Sequence, residues 1–62
     1  MPADATTYRN TLTNRLAIIT TEEDGQKRCW QRIELQAPGE VNVTWRMTYN
    51  EACNVAREWT NA

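Results

Sequence analysis

Between residues 27 and 48 the chain alternates apolar and polar side chains with a period of two, on both sides of Pro38-Gly39. A period of two is the periodicity of a β-strand, and a Pro-Gly pair between two such runs is typical of a hairpin turn. Proline presets the first central φ of a type II turn, and glycine accepts the positive φ of the second. The sequence therefore predicts strands at about residues 27–36 and 41–48.

Side-chain parity predicts which side of this hairpin faces a core. In the first strand Gln31, Ile33 and Leu35 share one side, where Gln31 needs a hydrogen-bond partner or a place at the rim. Matching the apolar sides sets Leu35 opposite Val41 and Ile33 opposite Val43, which requires an odd-length loop or a bulge at the turn. On this register the second strand turns these side chains to the core: Val41, Val43, Trp45 and Met47.

A run rich in β-branched residues, 16–21, leads to Asp24-Gly25, which is a strong signal for a short hairpin turn. Closing the turn on this pair sets Ile19 opposite Trp30 and turns Leu16 and Ile18 to the core. The sequence thus predicts a further strand at residues 15–22. Upstream of it we expect residues 1–7 to be loose and residues 8–14 to be irregular or extended.

The C-terminal segment has the spacing of an amphipathic helix at about residues 49–60. Thr48 followed by Glu51 forms a Thr-x-x-Glu capping box, and an apolar stripe wide enough to cover a sheet comprises Tyr49, Ala52, Cys53, Ala56 and Trp59. We expect Trp59, Trp45 and Ile33 to be buried against one another. The predicted fold class is α+β, with residues 1–62 forming a single domain: a three-stranded antiparallel β-meander with one C-terminal α-helix packed on the sheet.

The residue types available argue against an enzyme, a metal site or a bound cofactor. The 62-residue chain has no histidine and two cysteines, whereas structural zinc takes four soft ligands. The acidic run 22–24 is consecutive and lacks the alternate spacing of a calcium loop. We expect Cys29 and Cys53 to lie in the core as reduced thiols, and a disulfide between them is the alternative.

The formal net charge of −1 indicates that bulk electrostatics do not hold this protein on nucleic acid, although a locally basic face stays open. No apolar run approaches the roughly 20 residues of a membrane span, and the first 20 residues lack a signal-peptide core. We therefore expect a cytoplasmic protein without a membrane partner. It would be a monomer or a homodimer, since strands 15–22 and 41–48 would be unpaired sheet edges.

The predicted register gathers arginines around an exposed tryptophan on the side of the sheet that faces away from the helix. Tryptophan and arginine are enriched at binding hot spots. The residues predicted to bind a partner are Arg15, Ile19, Arg28, Trp30, Arg32, Thr44 and Arg46. Two other interpretations stay open. Either Arg46 stacks on Trp30 while Arg15 pairs with Glu34 as ordinary surface contacts, or residues 1–14 fold back and cover this side.

Two functional hypotheses follow from this face. The first is a small non-enzymatic protein-binding module, such as an inhibitor, adaptor or modulator of the kind that phages and mobile elements encode. The alternative is a sequence-specific DNA-binding domain. Residues 27–60 resemble in layout the plant APETALA-type and phage-integrase arm-binding domains, with Trp30, Arg32 and Arg46 where those domains carry base-reading residues. This resemblance is one of architecture, and no sequence motif of those domains is matched.

Overall fold

The computed structural model describes residues 5–62 as four β-strands followed by one α-helix. Their bounds are β1 Thr6–Asn10, β2 Arg15–Glu23, β3 Cys29–Ala37, β4 Glu40–Arg46 and α1 Tyr49–Asn61. The strands form one antiparallel sheet in the order β1-β2-β3-β4, and α1 packs on one side of it, mainly over β2 and β3. The α+β class with an antiparallel sheet and one C-terminal helix is therefore confirmed, but the sheet has four strands and not three.

The additional strand is β1, which spans part of the segment expected to be loose, residues 1–7, and part of the segment expected to be irregular or extended, residues 8–14. It pairs antiparallel with β2, where Tyr8 lies opposite Ala17. Its ends bond to both ends of the helix: the Thr6 and Tyr49 hydroxyls are 2.5 Å apart, and Asn10 Nδ2 donates to Asn61 Oδ1 at 2.9 Å. Because β1 extends the sheet beside β2, it does not fold back over the sheet. Residues 1–4 of the segment expected to be loose lie outside the described residues.

The turn between β2 and β3 has three residues in its loop. The Asp24 carbonyl accepts from Lys27 N at 3.2 Å, and Asp24 N donates to the Arg28 carbonyl at 2.9 Å. Lys27 has a φ of +65°. A type I turn closed by a residue in the left-handed region is the usual three-residue hairpin loop. Asp24 therefore begins the turn, and the two-residue turn predicted on Asp24-Gly25 is wrong.

This longer loop changes which side of β2 is buried. Ile19 lies opposite Ile33 rather than Trp30, three residues further along β3. A shift by an odd number of residues exchanges the two sides of a strand. Ala17 and Ile19 consequently face the helix, and the predicted core positions of Leu16 and Ile18 are wrong.

The turn between β3 and β4 is shorter than predicted. Ala37 pairs with Glu40, so the loop consists of Pro38 and Gly39 alone, and Gly39 has the φ of +82° that the second central position of a type II turn requires. Leu35 consequently lies opposite Asn42 rather than Val41. This one-residue difference turns β4 over. The predicted core side of β4 therefore faces away from the helix.

The core lies between α1 and the centre of the sheet. It consists of Ala17, Ile19, Ile33, Leu35, Ala52 and Ala56, with Tyr8, Cys53, Val55 and Trp59 packed at its border. The two helical alanines let the helix axis approach the sheet closely. Gln31 is 7% exposed in this layer, and its Oε1 accepts from the Thr21 hydroxyl at 3.0 Å, which supplies the predicted partner. Trp45 is 43% exposed and does not join Trp59 and Ile33.

Both helix ends are capped, the first as predicted. The Thr48 side chain accepts from Glu51 N at 3.2 Å, and Thr48 N donates to Glu51 Oε1 at 3.3 Å. The last turn contains no basic residue. Arg15 of β2 takes that role: its Nη1 donates to the Trp59 carbonyl at 2.8 Å, and its guanidinium lies 4.9 Å from the centroid of the Trp59 ring. A cation at a helix C-terminus is favourable because of the helix dipole.

The two cysteines are free and differ in their surroundings. Cys53 is partly buried against the core, in agreement with the prediction. Cys29 is exposed at the start of β3, where the sheet extends beyond the part covered by the helix, so the expectation of a core position for Cys29 is wrong.

The register predicts unequal costs for two truncations of β-branched side chains. Ile33→Ala removes a fully buried side chain and should cost about 3 kcal/mol of unfolding free energy, whereas Val43→Ala, which truncates a 42% exposed side chain, should cost about 1 kcal/mol or less. Urea unfolding followed by circular dichroism measures both. If Ile33→Ala is unfolded in water, Ile33→Val should still cost about 1 kcal/mol. Equal costs at the two positions would contradict this register.

The left-handed backbone conformation of Lys27 provides a test of the β2–β3 turn. Lys27→Gly should raise the unfolding free energy by about 0.5–1 kcal/mol, because glycine accepts a positive φ without steric cost. Lys27→Ala is the control and should give no gain, since alanine keeps the Cβ. A loss of stability in Lys27→Gly would show that the loop does not have this conformation.

Candidate functional site

The side of the sheet opposite α1, here called the outer face, is built from alternate residues of each strand. The strand register aligns Ile18, Glu34 and Val43 in one row across it, and Leu16, Gln36 and Val41 in the next. A third row holds Thr20, Arg32 and Trp45, and beyond it Glu22 lies opposite Trp30. None of the described residues forms a further layer over this face.

An apolar ridge runs along one edge of the outer face. It consists of Val41, Val43 and Trp45 of β4, with Met47 just beyond the strand, and these side chains are 62%, 42%, 43% and 62% exposed. The opposite side of β4 carries only polar and charged side chains: Glu40, Asn42, Thr44 and Arg46. Since α1 contacts β4 less than any other strand, that polar side faces little of the core. The edge strand is thus apolar on the side that faces away from the helix.

The middle of the outer face is polar, but its charges are paired. Arg32 Nη1 donates to Glu34 Oε1 at 3.0 Å, and Arg32 Nε lies 4.0 Å from Glu22 Oε2. Gln36 Nε2 donates to Glu34 Oε2. The bonds from Gln36 and then Arg32 hold the pKa of Glu34 below its ordinary value of 4.5. Arg32 therefore presents little free positive charge to a partner.

A small cavity opens where the outer face meets the β2–β3 turn. It has a volume of about 240 Å³, and its lining residues are Glu22, Glu23, Asp24, Trp30 and Trp45. We call it the tryptophan pocket. The Trp30 ring is held by its Nε1, which donates to Asp24 Oδ2 at 3.2 Å.

The turn that forms one wall of this pocket is organised by the Asp24 carboxylate. Asp24 Oδ1 accepts from Gln26 N at 2.8 Å and from Arg28 N at 3.0 Å. The backbone bonds from Arg28 and Gln26, with a smaller contribution from the Trp30 indole, hold the pKa of Asp24 below its ordinary value of 3.8. Asp24 therefore stays ionised to a lower pH than an ordinary aspartate, and its carboxylate bonds to both the loop and the ring of Trp30.

The structure separates the residues that were predicted to bind a partner. Trp30 and Arg32 lie on the outer face, as predicted, and Arg28 lies exposed in the β2–β3 turn. Ile19 is 1% exposed in the core, so its predicted position on the outer face is wrong. The same correction applies to these three residues, which lie on the helix side of the sheet: Arg15, Thr44 and Arg46. In each case the cause is the odd-numbered change of register.

The contacts expected under the other two interpretations are also absent among the described residues. Arg46 donates to Thr44 Oγ1 at 3.0 Å and to the Trp45 carbonyl at 2.8 Å, on the opposite side of the sheet from Trp30. Glu34 pairs with Arg32 instead of Arg15. The described part of the segment 1–14, residues 5–14, does not cover the outer face.

Comparison with protein-family models, with curated proteins and with solved structures finds no match for this chain. Within residues 5–62 no helix has the length and apolarity needed to cross a membrane. Over the same range, no group of three or more His, Cys, Asp or Glu side chains is placed to hold a metal ion. The geometry of the outer face is therefore the basis for a functional assignment.

The bonds of Asp24 predict a pH dependence at the turn. A carboxyl whose pKa is lowered on folding contributes stability that is complete above its unfolded value, near 3.8, and is lost as the pH falls through the lower folded value. NMR should therefore show the Asp24 carboxyl and the Trp30 indole N–H titrating together below pH 3.8. Asp24→Asn should remove this common titration from the Trp30 signal. Titration of Asp24 at or above its ordinary value would contradict the bonding described here.

Proposed function

We propose that this protein is a small non-enzymatic protein-binding module that holds its partner on the outer face, with the apolar ridge at the centre of the contact. The observation that carries the proposal is the exposure of 42–62% for Val41, Val43, Trp45 and Met47, which lie side by side along one edge. Contiguous apolar surface of this kind on a small domain marks an interaction site. Tryptophan and methionine are also enriched in protein interfaces.

The surroundings of the ridge support the same proposal. Leu16 and Ile18 are half-buried on β2 of the outer face, and the paired Arg32 and Glu34 lie between them and the ridge. An apolar strip beside a polar, hydrogen-bonded strip is the composition of an interface core with its rim. Among the described residues β4 pairs only with β3, so its outer backbone edge is also free to bond to an added strand.

A module of this kind acts by occupying a surface of its partner, as inhibitors, adaptors and modulators do. The absence of histidine from the sequence and the pairing of Arg32 with Glu34 on the outer face both favour binding over catalysis. DNA binding, the alternative, receives less support. A DNA-reading face requires several free cations, but Arg15 and Arg46 lie on the helix side and Arg32 is paired with Glu34.

Two substitutions on adjacent residues of β4 test the proposal. Val43→Glu puts a charge on the ridge, while Asn42→Glu puts the same charge on the helix side of the same strand, and both positions are exposed. A partner captured from the source cell should bind the parent protein and Asn42→Glu equally. Val43→Glu should bind it at least roughly tenfold more weakly. Calorimetry with the purified partner gives both values, and circular dichroism checks that each variant is folded.

Three outcomes would contradict the proposal. Equal losses in Val43→Glu and Asn42→Glu would mean that the ridge is not the contact. Loss of capture after nuclease treatment would indicate a nucleic-acid ligand. A dimer of the parent protein in sedimentation that Val43→Glu converts to a monomer would show that a second copy covers the ridge.

A further inference from the structure

The tryptophan pocket combines two kinds of group that attract cations. Trp30 and Trp45 form part of its lining, and the remaining lining residues are Glu22, Glu23 and Asp24. Indole is the aromatic ring that binds cations most strongly, through the negative face of its quadrupole. Among the residues that the structure describes, no basic side chain lines the cavity. Its aromatic and charged groups therefore all favour a positively charged occupant.

The basic residues nearest to the pocket lie outside its lining and offset its negative charge only in part. Arg32 is adjacent on β3 and is shared between Glu34 at 3.0 Å and Glu22 at 4.0 Å. In the turn, Arg28 Nη2 donates to Gln26 Oε1 at 2.6 Å. Lys27, the other basic residue of the turn, is exposed and outside the lining.

The pocket is also organised before any ligand arrives. Asp24 Oδ2 accepts from Trp30 Nε1 at 3.2 Å, while Asp24 Oδ1 is held by the backbone of the turn at 2.8 and 3.0 Å. One wall is thus fixed by bonds to the backbone. Preorganisation of this kind lowers the entropy cost of binding.

We infer that the tryptophan pocket takes a cationic side chain of the partner, with arginine preferred to lysine. A guanidinium is planar, stacks on an indole face and bonds to a carboxylate through two donors, whereas an ammonium is a compact point charge. The protein uses the same pairing internally, where the Arg15 guanidinium lies 4.9 Å from the centroid of the Trp59 ring.

This inference rests on the proposed function and narrows it. Trp45 belongs both to the apolar ridge and to the pocket. A partner segment on the ridge would therefore carry its arginine beside its apolar residues. The pocket would not favour a phosphate backbone, because its three carboxylates would repel the phosphate charges.

Short peptides provide a test that does not need the natural partner. The probes are acetyl-Gly-Arg-Gly-amide, its lysine analogue and its citrulline analogue, which keeps the shape of arginine without the charge. They are titrated into the labelled protein while the indole N–H signals are followed by NMR. The arginine peptide should shift the Trp30 and Trp45 signals saturably. The citrulline peptide should bind more weakly by a factor of roughly five or more. Trp59 lies on the helix side and should not respond.

Two double variants each remove two negative charges, one pair in the pocket lining and the other pair outside it. Glu22→Gln combined with Glu23→Gln should weaken the arginine peptide roughly three- to fivefold. Glu40→Gln combined with Glu58→Gln has the same net charge but leaves the lining intact, and it should bind as the parent does. Equal shifts with arginine and citrulline, equal binding by the two double variants, or no shift at Trp30 and Trp45 would each overturn the inference.

Binding of the purified partner distinguishes this inference from the proposed function. If the partner is lost by Val43→Glu but kept at full affinity by the Glu22→Gln, Glu23→Gln double variant, the pocket inference fails and the proposed function stands. If the arginine peptide binds as expected but Val43→Glu retains the partner, the proposed contact at the ridge fails instead. Loss of the partner in both variants supports both.

Discussion

The two-residue turn at Pro38-Gly39 is the constraint on which the outer face depends. A strand has two sides, and the number of residues in the turn before it decides which side meets the helix. Gly39 takes a φ of +82°, which lets the chain reverse between Ala37 and Glu40 without an extra residue. One residue more in this turn would bring Val43 to the helix side. The apolar ridge is outside because the turn is short.

The core is small because apolar residues that could have enlarged it lie on the exposed ridge. The buried cluster holds two isoleucines, one leucine and three alanines, which is little apolar surface for a domain of this size. Val41, Val43 and Trp45 would have enlarged it, yet they lie on the other side of the sheet. A protein that leaves such residues outside is less stable alone than its composition allows, and a partner that covers them stabilises the folded state by mass action.

The elements that could be predicted from the sequence are those whose signal is local. The helix, its Thr48 cap and the buried side of β3 follow from spacing within a few residues, and the structure has all three. The buried side of β2 could not be predicted, because Leu16 and Ile18 on one side are as apolar as Ala17 and Ile19 on the other. Strand β1 is short and rich in threonine, and its bonds to the helix join residues more than 40 positions apart. Of the residues predicted to bind a partner, only Trp30 and Arg32, which belong to β3, therefore lie on the outer face as expected.

One side chain, Asp24, both forms the β2–β3 turn and positions a residue of the candidate site. Asp24 begins the turn by accepting two backbone N–H bonds, and its second oxygen accepts the indole N–H of Trp30. The same three-residue loop that shifts β2 to its observed register therefore also orients one wall of the tryptophan pocket. Both sets of bonds are made to the ionised carboxylate and lower its pKa, so Asp24 contributes a negative charge to the pocket wherever the turn is formed. The geometry of the pocket is in this sense a consequence of how the hairpin closes, and a chain that closed it on Asp24-Gly25 would have neither the register nor the pocket.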